Sequence, residues 1–88
     1  MAMSDFNEVI SLIRRTPDEA LLEDLLVGLT TDKERHELAQ RLEIVKRLKD
    51  GQPQSKIASD LGVGVATVTR GSKELSQGRF KILEQLVQ

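Results

Sequence analysis

Apolar side chains recur along this chain at spacings of three and four residues, the period of an α-helix with one buried face. Phe6, Val9, Ile10 and Ile13 stand at i, i+3, i+4 and i+7, so an amphipathic helix is expected from Ser4 or Asp5 to about Arg15. Thr16, Pro17 and Glu19 then read as a new helix start: Thr16 caps, Pro17 takes the first helical position and Glu19 closes a capping box. Leu21, Leu22, Leu25, Leu26 and Leu29 give this second helix a stripe broader than one neighbour in a small domain requires, which points to a subunit interface. Gly28 to Thr30 breaks it. Thr31 and Glu34 repeat the capping-box spacing ahead of a long third helix, which runs to Asp50 and ends at Gly51. Its stripe is Leu38, Leu42, Val45 and Leu48 with Ile44 alongside, while Lys46, Arg47 and Lys49 lie away from it or at its margin.

The stretch Gln54 to Leu75, QSKIASDLGVGVATVTRGSKEL, reads as two short helices around a glycine-bearing turn. Pro53 suits the first turn of the leading helix. Ile57, Ala58 and Leu61 share a face, Gly62 supplies the left-handed residue that closes a helix, and Val65 and Val68 begin a second stripe. The small Ala58 lets the two helices approach closely. This is a helix-turn-helix pattern, in which Val65, Ala66, Thr67 and Thr69 would sit against base edges while the first helix crosses the backbone. An ordinary helical hairpin has the same spacing. Ser76 to Gly78 then separates a final short helix in which Phe80, Leu83, Leu86 and Val87 are periodic. The expectation is an all-α chain of six short-to-medium helices in a single domain over residues 1–88. Residues 1–50 form a helical dimerisation core, 51–77 the helix-turn-helix and 78–88 the C-terminal helix.

Eighty-eight residues suffice for a core but bury only about 60% of the surface of the unfolded chain, so a partner would help. The absence of cysteine excludes disulfides and thiolate metal sites. With no basic-then-apolar leader and no long apolar run, a cytoplasmic protein with no membrane association is expected. Two Phe and no Trp or Tyr leave little for stacking single-stranded bases. The net charge of −1 hides a division. Residues 1–40 carry four basic against nine acidic side chains, and residues 41–81 carry nine basic against four acidic. The helix-turn-helix therefore lies in the basic half, as expected if that half faces phosphates. A solvated mixed surface is the bland alternative.

No catalytic constellation can be assembled, so a non-enzyme is expected. His36, the one histidine, lacks metal-ligand spacing and reads as exposed, and Glu23 with Asp24 fits a solvated helix face better than acid–base chemistry. Gly62-Val63-Gly64 is too short for a phosphate loop. Arg70-Gly71-Ser72 is more informative, because glycine inside a helix costs about 1 kcal/mol relative to alanine. It either makes room for something against the backbone, with Arg70 ready to clamp a carboxylate in a bidentate pair, or allows helix to pack closely on helix.

GVGVATVTRGSKEL together with LTTDKERHELAQRLEIVKRL resembles the bacterial tryptophan repressor family over about Gly28 to Leu75. The resemblance implies an intertwined, all-helical homodimer. It also implies a transcriptional repressor that binds L-tryptophan as corepressor, with no other cofactor, and then binds palindromic double-stranded operator DNA. Arg41 and Arg70 correspond to the arginines that sandwich the indole, Arg70 also reaching the ligand carboxylate. Thr31 matches the cap of the third helix, being ten positions before Arg41. Gly28 and Thr30 would offer backbone carbonyls to the ligand ammonium across the dimer, and Gly71 would give the ligand room. Glu74 stands at a position that is serine in the best-known members, where an acid either serves the ammonium or marks a preference for another ligand. Gln54, Ser55 and Lys56, with Gly64, Val65, Ala66, Thr67, Thr69 and Lys73, would approach DNA. Two alternatives stand beside this reading: a regulator of the same type that responds to another ligand or to none, and a helical protein-interaction module.

Overall fold

The computed structural model describes residues 3–86, and among these all regular structure is helical: α1 (Phe6–Arg15), α2 (Glu19–Leu29), α3 (Asp32–Lys49), α4 (Gln54–Leu61), α5 (Val65–Ser76) and α6 (Lys81–Leu86). No described helix is long and apolar enough to cross a membrane. The chain forms two compact units, Met1–His36 and Glu37–Gln88, to both of which α3 contributes.

In the first unit, α1 starts at Asp5, whose carboxylate accepts from the Glu8 N–H at 3.1 Å. Thr16 does not cap α2, contrary to the capping box expected there. It closes α1, its N–H and hydroxyl donating back to Ile13 O and Leu12 O. Pro17 is the physical reason, since the residue before a proline is pushed out of the helical region, and Thr16 is extended at ψ 121°. The cap falls to Asp18, which accepts from the Leu21 N–H at 2.9 Å and sets a negative charge at the positive end of the helix. α2 ends within the expected Gly28–Thr30 stretch, continuing through Gly28 to Leu29 and stopping at an extended Thr30. The freed carbonyls find a donor in Arg35, whose Nη1 lies 3.1 Å from Val27 O and 2.7 Å from Thr30 O. The Thr31–Glu34 capping box forms in both directions: Thr31 N–H donates to Glu34 Oε1 at 2.8 Å and Glu34 N–H to Thr31 Oγ1 at 3.1 Å. Those bonds, the backbone one foremost, hold the Glu34 carboxyl below its ordinary value.

The second unit holds the core, made of Ile44, Ile57, Ala58 and Val68 with Leu48, Leu61 and Val63 packed against it. Its centre is not quite the expected stripe. Ile44 and Val45 are the buried residues of α3, whereas Leu38 and Leu42 are about half exposed. Val65, expected to begin the α5 stripe, is also exposed, and only Val68 of that helix is buried. Pro53 precedes α4 as its cap rather than joining its first turn. Gly62, at φ 67°, ends α4. Its N–H bonds Ser59 O and the next N–H bonds Ala58 O, a closure that requires the left-handed region and brings Val63 onto Ala58. α5 then returns across α4. Gly78 follows α5, with the Arg79 N–H bonded to Glu74 O at 3.1 Å. Phe80, expected at the start of the last helix, lies just before α6, and Val87 of that expected stripe is outside the described residues.

Candidate ligand pocket and nucleic-acid-facing residues

Within the second unit α3 and α5 enclose an open cavity of about 470 Å³. From α3 come Glu37, Gln40, Arg41, Ile44 and Val45, which are one helical stripe. From α5 come Ala66, Thr67, Arg70, Gly71 and Glu74, a second stripe, and Phe80 completes the wall. Four residues assigned to a ligand site from the sequence, Arg41, Arg70, Gly71 and Glu74, are thus brought to one cavity. Gly28, Thr30 and Thr31 stand in the first unit, at the end of α2 and the start of α3, and the Thr30 carbonyl accepts from Arg35.

Of the two purposes open to Gly71, close packing of helix on helix is the one its surroundings support. A Cβ there would lie 3.2 Å from Ile44 Cγ2, so glycine is what lets the α5 backbone approach α3 this closely, and the same residue lines the cavity. The charges are arranged unequally. Among the described residues neither the Arg41 nor the Arg70 side chain has a hydrogen-bond or ion-pair partner, whereas Glu74 Oε1 lies 3.5 Å from Arg79 Nε. Two unpaired guanidiniums beside the apolar Ile44, Val45 and Phe80 suit a ligand with a carboxylate and an apolar body. Phe80 is also a non-glycine residue at positive φ, 66°. Nothing in the hydrophobic period marked Phe80 for the cavity. Glu37, Gln40 and Ile44, by contrast, were reachable from Arg41 by helical spacing.

The residues assigned to nucleic acid lie at the start of α4 and along α5, Lys73 being in the last turn of α5. Ser55, Lys56, Gly64, Val65, Ala66, Thr67, Thr69 and Lys73 are exposed, and Gln54 is half-buried because its Oε1 accepts from Thr69 Oγ1 at 2.8 Å. Ala66 and Thr67 also line the cavity. Neither Pro53 nor Gly64 supplies a side-chain cap to its helix, and in α5 the Thr67 N–H turns back onto Gly64 O at 3.1 Å. Lys56 pairs with Asp60 at 2.6 Å, and that hydrogen bond is the main reason the Asp60 carboxyl sits below its ordinary range.

No solved structure matches the chain significantly. Sequence relatives are clear. A Trp operon repressor homolog of Vibrio campbellii is 43% identical over 72 residues, 81% of this chain and 72% of the relative. One from Vibrio cholerae is 40% identical over 75 residues, 84% and 73% of the two chains. One from Aliivibrio fischeri is 42% identical over 73 residues, 82% and 68%. The family model described as Trp repressor protein matches residues 4–88, and the chain therefore belongs to the Trp repressor family.

Proposed function

We propose that the chain is a DNA-binding transcriptional repressor, active as a homodimer on a palindromic operator and switched on by L-tryptophan. The observation that carries this is the double placement of α5. Its Arg70, Gly71 and Glu74 line a cavity with α3, while its Val65, Thr69 and Lys73 are exposed. A molecule seated against one part of the helix bears on the orientation of the rest. Arg41 and Arg70 take the carboxylate and the faces of the indole, and Ile44 and Val45 form the apolar floor. Gly28, Thr30 and Thr31 enter only through the family resemblance. The ligand acts by differential affinity, favouring the DNA-competent arrangement by about 1–3 kcal/mol. In helix-turn-helix dimers generally, the Trp repressor among them as a standard example, the reading heads stand about 34 Å apart.

Isothermal titration with L-tryptophan, followed by operator binding at several salt concentrations, tests the proposal. Heat on titration, ligand-enhanced DNA affinity and a steep fall of that affinity with salt are expected. Arg70→Ala should abolish the ligand response and keep the fold. DNA affinity indifferent to salt would instead favour a protein-interaction module, and no ligand response at millimolar tryptophan would remove the corepressor.

A further inference from the structure

The cavity holds charges of both signs, but only one of its carboxylates is engaged. Glu74 is paired with Arg79, and Arg79 is bound to the same residue twice, through its side chain and through its N–H on Glu74 O at 3.1 Å. The guanidinium is therefore delivered to Glu74 intramolecularly, by the turn that ends α5. An α-amino acid carries a carboxylate and an ammonium on one carbon. The partnerless Arg41 and Arg70 can bind its carboxylate directly, whereas the Glu74 carboxylate already faces Arg79, whose positive charge opposes an approaching ammonium.

We infer that Arg79 competes with the ammonium of an α-amino-acid effector for Glu74, so that this exchange, in addition to the arginine contacts, sets the selectivity of the pocket. The inference rests on the proposed reading of the cavity as an amino-acid site. Magnitudes favour the exchange. The Arg79 side chain is 64% exposed and its nitrogen stands 3.5 Å away, a solvent-screened pair that a ligand ammonium can displace. That ammonium would approach Glu74 beside Phe80 and Ile44, where less water screens the attraction. Phe80, held at φ 66°, follows Arg79 directly, so the displaced side chain leaves from a segment whose next residue remains part of the wall. Glu37 is the other carboxylate of the cavity and serves as the control.

The test measures binding of L-tryptophan and of indole-3-propionate, which keeps the indole and carboxylate but has no ammonium, to the full chain and to Glu74→Gln, Arg79→Gln, Glu37→Gln and the Glu74→Gln/Arg79→Gln double variant. Glu74→Gln should weaken tryptophan about tenfold or more without weakening indole-3-propionate. Arg79→Gln should tighten tryptophan about two- to fivefold, leave indole-3-propionate nearly unchanged, and have no effect once Glu74 is Gln. Weaker binding of both molecules to Arg79→Gln would overturn the inference, by making Arg79 a carboxylate ligand. Loss confined to Glu37→Gln, or wild-type protein that does not prefer tryptophan, would overturn it too and leave the pocket reading intact. Binding of neither molecule to the wild-type chain would remove that reading and the inference with it.

Discussion

Thr31 shows how much one side chain can settle. Its hydroxyl and its N–H both meet Glu34, so α3 begins at a defined residue although an adjacent threonine offers a rival cap. Removing one such hydroxyl typically costs about 1 kcal/mol. Thr31→Ala should therefore lower the unfolding free energy by about that amount in urea melts at neutral pH. The partner carboxylate gives the cap a pH dependence. Because Glu34 is held below its ordinary value, the stabilisation is fully present above the ordinary glutamate value and is lost as pH falls through the lowered one. Comparing wild type with Glu34→Ala across that acid range should show their difference shrinking in that window and constant above it. Asp60 and Glu43, lowered chiefly by hydrogen bonds from Lys56 and Arg47, titrate with the same sign.

On the scale of elements, the close approach of α5 to α3 governs the cavity. Gly71→Ala gains about 1 kcal/mol of helix propensity, but its methyl meets Ile44, which is almost wholly buried among other core side chains and has little room to give. Overpacking of this kind costs about 1–3 kcal/mol, so a net loss of about 1 kcal/mol is expected in thermal melts, with weaker tryptophan binding in calorimetry. Equal stability with unchanged binding would show that α5 rides outward at no cost. The six helices were legible because period and punctuation coincide: Gly51 and Gly62 end helices where the stripes end. Local competition decided the misread boundaries, as at Thr16, where the following proline overrides an otherwise good cap. The cavity was legible as far as Arg70-Gly71-Ser72 and Arg41 mark it. Phe80 was not, because it sits there through a positive φ that no apolar period encodes.

The whole molecule poses a question that neither residue nor element answers. No residue of α1 or α2 is buried, and Phe6, Ile10, Leu21, Leu26, Val27 and Leu29 are all exposed. Leu38 and Leu42 of α3 are exposed as well. Among the described residues the buried side chains belong to residues 44–68, none of them in α1 or α2. Isolated helices of ten or eleven residues are marginal in water. A second copy of the chain would cover these side chains, and the fold should then be concentration-dependent. Sedimentation should give a dimer at micromolar protein, and the melting temperature should rise with protein concentration, since association stabilises only the folded chain. Leu26→Glu sets a charge among the exposed leucines of α2 and should shift the sedimentation to monomer, with loss of helical circular dichroism from α1 and α2, while the core around Ile44, Ile57 and Val68 persists. A Leu26→Glu protein that stays dimeric would move the interface to another face, and a wild type that stays monomeric, with a concentration-independent melt, would end the dimer proposal.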